Sequence, residues 1–322
     1  MYKRQIPADV LPRVRDILLV LLNDPDPDAE ADHPPEGYAG HEDPATVAIN
    51  AVRSSALLAL IEYAGLRARL ADEEAQEPIP KGPGPRRLEA VVREALTKKL
   101  DRREDPSWAV HSVYGRYLSW LFWLDKEWVE AHIDQILPED EDSVWYYVAA
   151  WDSYVISHRS WPPGLEFLRP KYARAIHNLS EGRVTKTLLR TGPERGLAIH
   201  VAGEYLRSDY DLESPAGPDN LVTLFFQEAP PQARSGVTWF FWRVLEGDPA
   251  NRETYWPRVR AVWEWRARDA RAASHSTDFD DEMQWFAHLL PVVPESETIE
   301  SLWPLLETLL PHICLLYTSD AA

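Results

Sequence analysis

Almost every apolar stretch of this chain repeats at three- and four-residue intervals. In GVTWFFWRVLEG, Val237, Phe240, Phe241, Val244 and Leu245 fall at i, i+3, i+4, i+7 and i+8. TIESLWPLLETLL repeats the pattern with Ile299, Leu302, Trp303, Leu306, Leu309 and Leu310, and SVWYYVAAWDSYVI with Val144, Val148, Trp151 and Val155. This spacing gathers side chains on one face of a 3.6-residue helix, whereas a half-buried strand needs strict alternation. Alternating segments bounded by Asn-Gly or Asp-Gly turns are absent. The pattern predicts an all-α protein.

Helices are predicted over 8–22, 45–71, 85–100, 106–123, 125–136, 142–158, 162–179, 193–207, 218–227, 230–246, 253–272, 279–290 and 297–311. Asp-Pro recurs at Asp43-Pro44, Asp105-Pro106 and Asp248-Pro249. Asp can accept from the free N–H groups of a first turn, and Pro fits the first helical position because its missing N–H would be unpaired there. Two stretches lack a periodic apolar face and read as solvated loops, Asn23 to Pro44 and Ala71 to Pro85. WLFWLDKEWVEAHI passes from one helix to the next with almost no loop at Leu124-Asp125. Connections this short make sequential helices antiparallel neighbours, and serial pairs of that kind build a stacked solenoid. No fixed repeat period is visible, so an irregular α-solenoid, HEAT/TPR-like in its antiparallel helix pairs, is expected.

Charge and cysteine usage narrow the function classes. The formal charge is −18, and phosphate backbones call for a basic stripe. The densest basic stretches, KGPGPRR and TKKLDRR, are flanked by acids and read as a loop and a solvated helix end. No nucleic-acid partner is expected. No run of 18 or more apolar residues exists, and ILLVLL (Ile17 to Leu22) is far too short to span a bilayer. No membrane partner is expected. The 14 Trp and 13 Tyr supply much buriable area.

The single cysteine, Cys314, lies in a tail that does not resemble the rest. CLLYTSDAA resembles a translated sequencing adapter, the transposon mosaic end used in library preparation, and MYKRQ fits the opposite strand of the same element. Residues 1–5 and 314–322 are therefore expected to be adapter-derived scars. Residues 6–313 are expected to be a helical array and an internal fragment of a longer protein. Without Cys314 the fragment has no cysteine, which excludes a disulfide framework and fits a reducing, cytoplasmic compartment.

Few residues invite a chemical reading. GPGP (Gly82 to Pro85) lacks the strand and the G-x-x-x-x-G-K-[ST] spacing of a phosphate loop. DFDDEMQWFAH offers Asp280, Asp281 and His288 as metal ligands; the favoured reading is that Asp278 or Asp280 caps a helix while Asp281 and Glu282 sit at its positive end. AAWDSYVISHRSW places Trp151, Asp152, His158 and Trp161 together. A carboxylate among aromatics suits a sugar-cleaving site, with Asp125, Glu166 or Glu264 as the second acid. The favoured reading is a core Trp, with Asp152 satisfied by Arg116 or Arg159. His111, His132, His177 and His200 sit singly in different helices and read as hydrogen-bonded or surface residues. Asn50 and Arg53, in an otherwise apolar helix, read as a buttress binding backbone or carboxylates. No catalytic, cofactor-binding or metal-binding residue is assigned.

Five segments in order, AINAVRSSALLALIEYA, DPSWAVHSVYGRYLSWLFWLDKEWV, AWDSYVISHRSWPPGLEFLRPKYARAI, VWEWRA and DFDDEMQWFAHLL, carry a family resemblance. Together they resemble the long C-terminal helical region of large bacterial STAND-type ATPases and related antiphage defence proteins. The resemblance spans roughly Val47 to Leu290 and rests on packing motifs. It implies a non-enzymatic region that senses a protein trigger, with an ATPase and an effector module N-terminal to it in cis. The alternatives are an all-α toroid acting on carbohydrate through Asp152 and a second carboxylate, and a purely structural helical domain.

Overall fold

The computed structural model describes residues 7, 9–28, 43–75, 87–157, 162–181, 192–209 and 211–313. Residues 1–5 and 314–322, expected to be adapter-derived scars, lie outside the described residues. The described residues form fifteen α-helices and no strand. They fall into two compact units, Met1–Gly164 with Val184–Pro193, and Leu165–Arg183 with Glu194–Ala322.

The first unit is built around one helix. Its elements are α1 (Leu11–Leu21), α2 (Pro44–Asn50), α3 (Val52–Ala75), α4 (Ala90–Leu100), α5 (Trp108–Arg116), α6 (Leu118–Leu124), α7 (Lys126–Ile136) and α8 (Val144–Ser157). Every residue of α5 except Arg116 is buried. A helix closed off on all sides needs neighbours all round, and α5 packs against α2, α3, α6, α7 and, most intimately, α8. Gly115 permits that closeness, since a Cβ there would overlap the Ala150 carbonyl on α8.

Two helices expected as continuous are each broken once. The segment 45–71 divides at Ala51, which is extended at φ −98° and ψ 149°. Neither Gly nor Pro marks that point. Asp26 makes the break: its carboxylate accepts the Val52 N–H at 2.7 Å and its backbone carbonyl the Arg53 N–H at 2.7 Å. The segment 106–123 divides at Tyr117, which ends α5 and leads into α6. By contrast α6 and α7 meet at Asp125 alone. Its N–H bonds back to Leu121, and its carboxylate accepts the Trp128 N–H at 3.0 Å.

The Asp-Pro starts behave differently from one another. Asp43 caps α2, accepting from the Thr46 N–H at 3.0 Å. Before α5 the cap is Ser107, which accepts from Val110 N–H at 3.0 Å. Asp105 is buried and takes Arg53 Nε at 2.9 Å and Lys99 Nζ at 3.2 Å. Lys99, expected on a solvated helix end, is therefore interior. Asp248 opens only a 3-10 turn, Pro249–Asn251, without capping it through its side chain.

The second unit contains α9 (Pro162–Ser180) from Leu165 onward, α10 (Pro193–Arg207) from Glu194 onward, α11 (Leu221–Glu228), α12 (Pro231–Gly247), α13 (Arg252–Ala272), α14 (Asp280–Ala287) and α15 (Ile299–Ile313). Aromatic rings pack together within its core. Trp263 stacks flat on Phe286 at 5.4 Å between centroids, and Trp256 meets Trp263 edge-on at 6.5 Å. No single described helix is long and apolar enough to cross a membrane. The bent pair α2–α3, angled by 84°, reaches that composition only jointly, and its Leu57, Leu60, Ile61 and Tyr63 lie in the first unit's core.

Candidate functional site

A cleft of about 900 Å³ with a mainly apolar lining lies in the first unit. Leu11, Val14 and Leu18 of α1 form one wall, and Ala59, Tyr63 and Leu66 of α3 the opposite floor. Ile49 of α2 and Trp120 of α6 lie at its margin, exposed by 52% and 36%, which leaves large apolar surface open to a ligand. Binding clefts combine such walls with a few placed polar groups, and here these are Glu62, Arg69, Arg116 and Tyr117.

Their geometry is specific. The Arg69 guanidinium lies over the Trp120 ring at 5.5 Å, and its Nε donates to the Gly65 carbonyl at 3.2 Å. Gly65 lets the indole approach, for a Cβ there would stand 2.8 Å from it. The Tyr117 hydroxyl donates to Glu62 at 2.7 Å. Burial, reinforced by that hydrogen bond, pushes the Tyr117 phenol well above its ordinary range, so it stays a neutral donor. Behind the wall, Glu89 accepts from Arg15 at 3.0 Å, Tyr63 at 3.1 Å and Arg67 at 3.2 Å. Burial alone would raise the Glu89 carboxyl, but those three donors outweigh it and hold it below the usual range. The node ties α1 and α3 to the start of α4.

The acids singled out in the sequence are dispersed. Asp152 is buried at 4% exposure, and Trp151 beside it stacks on Tyr147 at 5.9 Å in the interior. Asp125 is wholly buried, capping α7 and paired with Arg93. Glu166 and Glu264 belong to the second unit, where Glu264 pairs with Arg260 at 2.8 Å. His158, Arg159 and Trp161 lie outside the described residues, as does GPGP.

The acidic cluster near residue 280 is also reassigned. None of its carboxylates caps α14: the residue before that helix is Phe279, which makes no side-chain cap, and Ser276 caps the 3-10 turn ahead of it. Asp280 turns to His312 of α15, at 2.6 Å. Glu282 is wholly buried and receives Arg266 Nε at 2.8 Å and Nη2 at 3.2 Å. Arg234 Nε also reaches Glu282, at 2.8 Å, but off the line of a hydrogen bond, so that contact is ionic. His288 packs on Trp285 at 4.9 Å and on Trp242 at 5.9 Å. Asp280, Asp281 and His288 therefore do not converge, and no group of three or more His, Cys, Asp or Glu assembles a metal site among the described residues.

The lone histidines each find a local partner. His111 is buried and donates Nε2–H to the Ile136 carbonyl at 2.8 Å, and burial holds its pKa down at about 4. His132 meets the Trp128 carbonyl at 2.7 Å, and His200 meets the Tyr172 hydroxyl at 2.6 Å. His177 is exposed, within 3.5 Å of Glu181. Arg53 forms the expected buttress: it donates to the Asp24 and Pro27 carbonyls at 2.7 and 2.8 Å while pairing with Asp105. Asn50 donates back to the Thr46 carbonyl at 2.9 Å. The cleft itself was missed. Its lining residues, such as Ile49, Arg69 and Trp120, come from separate helices, and only tertiary packing brings them together.

No protein family, curated protein or solved structure matches the chain.

Proposed function

We propose that this chain is a non-catalytic binding region in which the first unit's cleft takes a segment of a protein partner. The carrying observation is the apolar cleft with exposed Ile49 and Trp120 at its margin and two arginines among its polar groups. Two arginines, Arg69 and Arg116, face one carboxylate, Glu62, so the cleft carries an excess of positive charge within a chain of formal charge −18. It suits a peptide that pairs a large apolar side chain with a neighbouring carboxylate, since aromatic and Arg side chains anchor protein interfaces.

In this reading the two units are parts of an irregular stacked-helix array in a cytoplasmic sensor, coupled in cis to a STAND-type ATPase and effector. Unfilled apolar rows support it. Ile17 and Val20 of α1 are 60% and 72% exposed, and Ile299, Trp303 and Leu310 of α15 are 70%, 55% and 60% exposed. An interrupted solenoid leaves such faces because terminal helices lack the neighbours that cover internal ones.

A displayed peptide library tests the cleft. Enrichment of apolar–acidic motifs is expected, and Arg69→Glu with Arg116→Glu should abolish it. Enrichment that ignores both substitutions, or none at all, rejects the reading. Long-read sequencing across the gene tests the coupling: an upstream G-x-x-x-x-G-K-[ST] in the same frame supports it, and a native start codon directly before the Ile6 codon overturns it.

A further inference from the structure

The motif that suits the first unit's cleft also stands on a helix of this same chain. α15 presents Ile299, Trp303 and Leu310 to solvent, 70%, 55% and 60% exposed, with Leu306 half-buried between them. At about 100° per residue these four positions fall within an arc of about 60° on the helix surface. Glu300 and Glu307 run along one flank of that stripe, roughly 80–100° from Ile299, and both are exposed. Glu307 accepts the Trp303 indole N–H at 2.8 Å, which holds the ring on the stripe beside a carboxylate. No Lys or Arg occurs in α15. The helix thus offers large apolar side chains with carboxylates next to them.

We propose that α15 of one copy of this chain seats in the first-unit cleft of a second copy, joining copies head to tail. The proposal rests on the cleft's taking an apolar–acidic protein segment, and it names that segment. Length, polarity and charge support the fit. At about 1.5 Å per residue, the stripe from Ile299 to Leu310 runs about 16 Å and the α3 floor from Ala59 to Arg69 about 15 Å. An amphipathic helix docks in an apolar groove through anchors of this helical spacing. Ile49 and Trp120 at the cleft margin give the anchors apolar surface to cover. Arg69 and Arg116 face Glu62 alone in the cleft, and Glu300 and Glu307 supply the opposing charge. Pairing two α15 stripes with each other would instead crowd like charges, which is costly across an interface.

The contact joins unlike surfaces. Each copy therefore keeps a free cleft at one end and a free α15 at the other, and growth continues until a ring closes or a filament forms. One helix in one cleft is a small contact, and interfaces below about 1,200 Å² are transient. Assembly is accordingly expected to rise with concentration.

Sedimentation velocity on the full chain across a concentration series tests this. The average mass should climb above that of the monomer. Trp303→Glu and Arg69→Glu should each hold the chain at monomer mass. Both residues are exposed, and an unchanged melting temperature verifies each fold; Ile49→Glu, at a position 52% exposed, replaces Arg69→Glu if that variant is destabilised. A 1:1 mixture of the α15 variant and the cleft variant should recover a dimer and stop there, because one keeps an intact cleft and the other an intact α15. A chain that stays monomeric, assembly that survives either substitution, or a mixture that stays monomeric overturns the proposal. The cleft reading fails separately: peptide enrichment without self-assembly rejects α15 as the occupant and leaves the cleft a binding site, whereas no enrichment removes both.

Discussion

Both units bury a carboxylate shared between two cations, but they do so at different places in the chain. In the first, Asp105 sits just ahead of α5 and holds Arg53 of α3 and Lys99 of α4. In the second, Glu282 sits in the first turn of α14 and holds Arg266 of α13 and Arg234 of α12. The first arrangement gathers charge at helix ends, where unpaired backbone groups already demand polar partners. The second adds a cation from within a helix, packed among aromatic rings: Arg266 of α13 lies 4.9 Å from the Phe226 ring centroid and 4.8 Å from that of Phe279. Burial lowers the Arg234 pKa from its ordinary value, with Glu282 opposing that effect. The comparison teaches that a charge at a helix end has alternatives when its partner is lost. A charge packed among rings has fewer: beyond Glu282, Arg266 keeps the half-exposed Asp269, at 2.7 Å, as its other ion pair among the described residues.

Four experiments break or sharpen that contrast. The largest effect is expected from Glu282→Ala, which leaves the buried Arg266 and the half-buried Arg234 without their shared carboxylate. Removing one partner of a buried ion network costs about 3–5 kcal/mol. Amide exchange in α12–α14 should accelerate accordingly, and an effect below about 1 kcal/mol would remove the proposed inequality between the units. Gly115→Ala comes next. Its new methyl meets backbone rather than a yielding side chain, so overpacking of about 1–3 kcal/mol should exceed the roughly 1 kcal/mol gained from better helix propensity. Gly65→Ala meets the end of the Trp120 ring instead, which can shift; thermal denaturation should rank it milder.

Acid titration probes the first unit from another side. His111 is neutral in the fold, with its pKa depressed from 6.5 to about 4, so the unfolded chain takes up the proton first. Its contribution is fully present above the ordinary value of 6.5 and is lost as pH falls towards 4. The loss is on the order of 3 kcal/mol across that window. Denaturant melts should show it, and His111→Gln should flatten the slope. Glu89 has the same sign, but its loss begins only below the ordinary carboxylate value of 4.5, so the two processes separate along the pH axis. The smallest effect belongs to Ser107→Ala, about 1 kcal/mol for a lost cap. Asp43→Ala should match it in chemical denaturation, since the two caps have the same 3.0 Å geometry.

These contrasts also explain what was readable in the residues. Helices followed from apolar spacing because each one buries a face. The α2 start followed from Asp43-Pro44 because its cap is local. Asp105-Pro106 has the same letters, but distant Arg53 and Lys99 claimed the carboxylate and Ser107 took over the cap. The break at Ala51 was hidden because its cause, Asp26, lies 26 residues from Val52. The cleft was hidden for the same reason: α1, α2, α3, α6 and α8 each contribute to its lining. Asp280 drew notice for its acidic neighbours, yet its partner His312 is 32 residues away.

The joint at Asp125 has a further consequence. One residue ends α6 and begins α7, so the connection contains no slack. An inserted residue there would have to be absorbed as rotation, turning α7 by about 100° around its axis. Trp128 and Val129, now 2% and 0% exposed, would swing out of the interior together. Position 125 thus acts as a phase lock: its length is fixed by geometry more strictly than its chemistry, and Asn could keep the cap where a single added glycine could not keep the fold.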